Sequence, residues 1–133
     1  MTLVDSNIPM YLIGAAHPHK TEAQMLVERA LASQDRLITD AEVLQEIVHR
    51  YASIGRRAGI ADALRVMLGL VDEVLSLESR DVLRAGEIAR LPEQWSARDA
   101  VHIAIMERHG IRRVMSFDAD FDRWPGLSRI FQV

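Results

Sequence analysis

Short apolar runs alternate with longer stretches whose apolar residues recur every three or four positions, and the alternation repeats along the whole chain. Thr2-Leu3-Val4 has strand character and is closed by Asp5, with Pro9 placed for the first turn of a short helix. His17-Pro18-His19 reads as a surface loop. From Lys20 to Ser33 the positions Ala23, Leu26, Val27, Ala30 and Leu31 fall at helical spacing, and Arg36 to Ile38 reads as a second strand. Thr39-Asp40-Ala41-Glu42 matches a capping box with Thr39 as the cap, followed by an inward stripe of Val43, Leu44, Ile47, Val48 and Tyr51. Ser53 to Gly59 is a basic break, Ile60 to Leu70 is helical again, and Glu73 to Leu77 predicts a third strand. Ser79 is placed to cap a helix over Arg80 to Leu91, with Val82, Leu83, Ala85, Ile88 and Ala89 inward and Pro92 as its stop. Ala97 to Arg108 is apolar almost all round, which predicts a buried helix ending at Gly110. Arg113 to Phe117 predicts a fourth strand, and Ser128 to Phe131 a last one.

Strands that alternate with helices in this way predict an α/β fold, a parallel sheet covered by helices on both faces. Such sheets present ligands at the C-terminal ends of strands and at helix N-termini. Asp5 and Asp118 follow strands, and Asp99 stands at a helix start. Two of them have a plainer explanation: Asp5 as a helix cap, Asp99 as the second half of a capping box with Ser96. Glu46 has no capping role and falls at the edge of its helix's apolar stripe. His102, one turn beyond Asp99, reads as packing support.

Composition narrows the chemistry. A chain of 133 residues with 49% hydrophobic content suits a single domain over residues 1–133. Cysteine is absent, so any metal site must use carboxylates, histidines or carbonyls. A net charge of −3 argues against a simple nucleic-acid module, although not against an enzyme that holds phosphate through a metal. No apolar run is long enough to cross a bilayer. A strand directly after Met1 leaves no room for a leader, so a cytoplasmic protein is expected.

Asp118, Asp120 and Asp122 alternate as in a calcium loop, but Arg123 and Arg129 stand where that loop needs glycine and glutamate. The same run is similar to the nucleophile motif of haloacid-dehalogenase-type phosphatases, yet only eleven residues follow Asp122. A small metal-dependent phosphatase is therefore a minor alternative. The acids make better sense together. If Asp5, Glu46, Asp99 and Asp118 meet on one rim of the sheet, their mutual repulsion is relieved by a hard divalent cation, and oxygen ligands favour Mg²⁺ or Mn²⁺. Such a site suits phosphodiester cleavage.

Val4-Asp5-Ser6-Asn7, Val43-Leu44-Gln45-Glu46, Arg98-Asp99-Ala100 with His102 and Ala104, and Ser116-Phe117-Asp118-Ala119-Asp120-Phe121 resemble, in order, the motifs of PIN-domain ribonucleases. The chain's length and lack of appended domains resemble the VapC-type toxins of toxin–antitoxin pairs. The resemblance implies a three-layer α/β/α fold with a central, mostly parallel sheet and an endoribonuclease dependent on Mg²⁺ or Mn²⁺. It also implies an RNA substrate, a homodimer, and a cognate antitoxin whose C-terminal segment occupies a groove beside the active site. By position, Asp5, Glu46, Asp99 and Asp118 are the catalytic, metal-holding acids, with Asn7 and Ser116 in support. Asp120 either supplements Asp118 or replaces it. A PIN-like module that binds RNA or protein without cutting is the alternative, and keeping four mutually repelling acids argues against it.

Overall fold

Leu3 and Val4 are wholly buried, which sets β1 (Thr2–Val4) in the middle of the molecule. Burying each such side chain contributes roughly 1.5–3 kcal/mol. The computed structural model describes residues Met1–Val133. After β1 come α1 (Asn7–Ile13), α2 (Pro18–Ala32), β2 (Leu37–Asp40), α3 (Ala41–Ser53), α4 (Gly59–Leu70) and β3 (Glu73–Leu75). Then follow α5 (Ser79–Ala89), α6 (Ala97–His109), β4 (Arg113–Met115), a 3-10 turn over Ala119–Arg123, and β5 (Ser128–Ile130).

The five strands form one sheet in the order β3-β2-β1-β4-β5, and every pairing is parallel. Thr2 is opposite Leu37, and Val4 is opposite Met115. The chain builds outward from β1 to one side and later to the other. The crevice between the C-terminal ends of β1 and β4 is therefore the sheet's switch point, where open α/β sheets bind ligands. The fold is a three-layer α/β/α arrangement. A single cluster of buried apolar side chains joins sheet and helices, drawing Ile47 from α3, Ile88 from α5, and Ile103 and Ile105 from α6.

Several local details differ from the sequence reading. β2 extends to Asp40, so Thr39 is still in the sheet, opposite Val74, and its hydroxyl donates to the Val4 carbonyl. The cap of α3 is Asp40, whose carboxylate accepts from the Val43 N–H at 2.8 Å. α5 shifts the other way and begins one residue early, with Glu78 and Asp81 as its capping box rather than Ser79. It ends at Ala89, and Val82 and Leu83 are exposed instead of inward. Leu31 and Val48 are exposed too. β3 and β4 stop two residues short of the predicted ends. His17-Pro18-His19 is no loop: His17 caps α2 with its ring Nδ1 accepting from the His19 N–H, and Pro18 takes the first helical position.

Candidate active site

The residue after β1 is Asp5, only 5% exposed. It does not cap α1 with its side chain. Its Oδ1 accepts from the adjacent Ser6 N–H at 2.8 Å, and its Oδ2 accepts from Ser116 Oγ at 2.6 Å and Asn7 Nδ2 at 3.3 Å. Ser116 follows β4, so this bond spans the switch point. The Ser116 hydroxyl also accepts from Asn7 Nδ2 and from the Asp118 N–H, while Asn7 Oδ1 accepts from the Phe117 N–H. Asn7 and Ser116 thus orient the backbone and acids at the ends of both strands.

Asp118 starts the 3-10 turn, its Oδ1 accepting from the Asp120 N–H. Carboxylate oxygens of Asp99, Asp118 and Asp120 come within 4.8 Å of one another. Asp99 sits at the N-terminus of α6, where Ser96 Oγ accepts from its N–H at 3.1 Å. The Ser96 backbone N–H makes no return bond to the carboxylate, so the capping box is only half made; the Ser96 hydroxyl still favours the charged Asp99, which lines the site. Asp122 belongs elsewhere: it forms a two-point ion pair with Arg129, at 2.9 and 3.0 Å.

A second group comprises Asp5, Glu46 and His102, whose ligating atoms also lie within 4.8 Å of one another. Glu46 reaches in from α3 and accepts from Ser6 Oγ at 3.0 Å. His102, on the first turns of α6, is 1% exposed. Its Nδ1 is 2.9 Å from Asp40 Oδ2, while Nε2 is 3.5 Å from Glu46 Oε2 without the alignment of a hydrogen bond. His102 is therefore an ionic strut beneath the acids rather than mere packing. Asp5, Glu46, Asp99 and Asp118 line one cleft of about 600 Å³, and Asp120 lies at its margin.

The acids feel one another. Burial pushes the Asp5 carboxyl above its ordinary range, opposed by His102 and the Ser116 hydrogen bond. Asp99 is raised to about 6, chiefly by burial and next by the charge of Asp118. Burial also weighs against a charged Glu46, but His102 and Ser6 outweigh it and hold that carboxyl below its usual value. For His102 burial opposes protonation, and the carboxylates of Asp40, Glu46 and Asp5 overcome it, raising the imidazole well above 6.5. Carboxyls lifted by burial and by one another's charge fit a hard divalent cation. With the His102 imidazole held protonated by its carboxylate neighbours, the donors available are carboxylate oxygens.

Sequence reasoning overlooked Asp40, because Thr39 beside it offered an equally good cap. It also overlooked the rest of the cleft wall, which includes Tyr11, His17, His19, Arg50, Tyr51 and Arg56. The His-Pro-His stretch was a signal for part of this wall, and Pro18 drew the reading toward a loop.

The family model of the PIN domain matches residues 2–127. The chain belongs to the PIN-domain family. Within it the chain is similar to ribonuclease VapC13 of Mycobacterium tuberculosis and to a VapC ribonuclease of Mycobacterium bovis. Each is 56% identical over 130 residues, covering 98% of this chain and 99% of the relative. Ribonuclease VapC23 of Mycobacterium tuberculosis is 36% identical over 118 residues, covering 89% of this chain and 93% of the relative. Among solved structures, VapC20 of Mycobacterium tuberculosis, described as a sarcin-ricin loop cleaving toxin, superposes with a TM-score of 0.74. It has 24% identity and covers 92% of this chain and 93% of that one. VapBC2 of Rickettsia felis, bound to a fragment of promoter DNA, gives 0.73 at 16% identity, covering 97% and 96%. At these identities the structural likeness speaks for the fold.

Proposed function

We propose that Asp5, Glu46, Asp99 and Asp118 hold Mg²⁺ or Mn²⁺, and that with this ion the protein, an endoribonuclease of the VapC class, hydrolyses RNA phosphodiester bonds. The observation that carries the reading is convergence. Four acids from four separate elements line one cleft at the switch point of the sheet, and two of them are pushed toward protonation by burial, with the charge of neighbouring acids adding to it. When bound, the cation lowers the pKa of a water and offsets charge gathering on the phosphate.

The chain's own residues do the rest. Ser116 and Asn7 hold Asp5 in one rotamer, and Ser6 holds Glu46. Asp40 keeps the His102 imidazole charged, and that imidazolium favours the ionised forms of Glu46 and, against burial, of Asp5. Asp120, more exposed than Asp118, supplements the set rather than replacing Asp118. A single domain over residues 1–133 is supported by the family match to residues 2–127. The partner that restrains the enzyme is a cognate antitoxin, in keeping with solved relatives described as toxin–antitoxin complexes. No helix is long and apolar enough to cross a membrane.

The test is cleavage of a tRNA mixture by purified protein with Mg²⁺ or Mn²⁺. Wild type cuts only with metal, and Asp5→Asn and Asp99→Asn abolish cutting. Undiminished cleavage by either variant rejects its assignment as a ligand. Cleavage unaffected by a chelator rejects the metal.

A further inference from the structure

The cleft that contains the acids has a second chemistry on its wall. Phe117, just after β4, and His19, on the first turn of α2, have their rings stacked 4.2 Å apart and 13° from parallel. Tyr11 of α1 meets both edge-on, at 5.5 Å from Phe117 and 5.0 Å from His19. His17 extends the ladder, 5.0 Å from Tyr11. All four line the same cleft as Asp5, Glu46, Asp99 and Asp118, as do Arg50 and Arg56 from α3 and the loop after it.

This ladder is fixed in place. The imidazole of His17 is held by capping α2, that of His19 faces Glu22 at 3.2 Å, and Lys20 donates to the Gly14 carbonyl across the α1–α2 connection. Yet the rings are not sealed in the core: His17 is exposed and the His19 side chain is 37% exposed. A preordered aromatic ladder that stays partly open to solvent on a cleft wall offers a base a surface to meet. Beside it stand two arginines, although the protein carries net negative charge. Unpaired nucleic-acid strands are bound by this combination, bases on ring faces and phosphates on cations.

We propose that Tyr11, His17, His19 and Phe117 form a stacking platform for an unpaired base of the RNA, adjacent to the phosphate the acids address, with Arg50 and Arg56 drawing in neighbouring phosphates. The inference rests on the nuclease reading for its choice of RNA, and it adds that the substrate is single-stranded at this place. A duplex cannot offer a base face to a ring at the side of the cleft.

The experiment measures binding without divalent metal, so no cutting occurs. The probes are fluorescein-labelled octaadenylate and an abasic octamer with the same ribose-phosphate backbone. Wild type prefers octaadenylate. His19→Ala, and His17→Asn, which keeps an acceptor for the helix cap, each weaken octaadenylate binding by about 5- to 100-fold and leave the abasic strand within about twofold. His19→Phe restores the preference, which a role in folding alone would not predict for binding of one probe only. Arg56→Ala weakens both probes alike and lowers the salt slope by about one.

The proposal is overturned if wild type binds both probes equally, or if the histidine variants leave octaadenylate binding intact or weaken both strands together. It is overturned too if those variants lose the antitoxin but bind octaadenylate as wild type does, which would assign this wall to the protein partner. Failure of the nuclease reading looks different: wild type would show the base preference yet cut no RNA with any metal.

Discussion

His102 Nδ1 sits 2.9 Å from Asp40 Oδ2, and neither side chain is measurably open to water. The contact ties the first turns of α6 to the junction of β2 and α3, directly below the acids. Asp40 serves twice, since its other oxygen caps α3. Asp40→Ala removes the nearest countercharge of a buried imidazole together with the cap of α3 and should cost roughly 3–5 kcal/mol. The pH dependence has a definite sign. An imidazole raised on folding contributes stability that is fully present below about pH 6.5 and is lost as pH rises through its folded value, well above that. Urea titrations of wild type and Asp40→Ala should show the gap between them largest near pH 6 and narrowing in alkali.

Asp99 behaves in the opposite sense to an ion-paired acid. Its carboxyl, raised to about 6, holds a proton in the folded state that the unfolded chain has already released. Without metal, the protein therefore loses stability as pH rises from about 4 through about 6, and the loss persists above. Asp99→Asn, permanently neutral, should melt higher than wild type at pH 8 in EDTA, with the difference vanishing towards pH 4. Added Mg²⁺ or Mn²⁺ should raise the melting temperature of wild type at pH 8 and leave the variant nearly unmoved.

Ser116 touches Asp5, Asn7 and the Asp118 N–H at once. Ser116→Ala keeps every proposed ligand but frees Asp5 and the start of the 3-10 turn. The metal concentration giving half-maximal cleavage should rise by about 10–100-fold, with activity largely recovered at saturating metal. No change in that midpoint would show that Ser116 only packs.

Two neighbours on α5 separate the exposed face from the core. Leu83 is 73% exposed and Ile88 is fully buried. Leu83→Gln should change stability by no more than about 0.5 kcal/mol, whereas Ile88→Ala should cost roughly 2–5 kcal/mol, read by chemical denaturation.

Gly110 closes α6 at φ +67°, a left-handed conformation that side chains resist. Gly110→Ala should cost about 1–2 kcal/mol although open space awaits its methyl group. A fully stable variant would mean the helix end rearranges freely.

The helical periodicities and the Gly110 stop were enough to give the element order, and an apolar run ending in an acid marked both Asp5 and Asp118. What local sequence could not settle was any choice between neighbours. Thr39 and Asp40 can each cap a helix; the sheet decides, because the Thr39 hydroxyl is taken up by the Val4 carbonyl and Asp40, the last residue of β2, has its carboxylate on the Val43 N–H. Val82 and Leu83 are apolar at helical spacing, but which side of α5 faces inward depends on how it packs against α6. The aromatic ladder was invisible for another reason. Tyr11 and His19 meet Phe117, about a hundred residues away, only because β1 and β4 are neighbours.

That same pairing governs when the enzyme can exist during its synthesis. Asp5 is translated 111 residues before the Ser116 hydroxyl that steadies it, and the strand flanking it, β4, is made just as late. Until then Asp5 has only its local partners Ser6 and Asn7. The proposed acidic site therefore cannot be assembled before β4 has been made and has paired with β1.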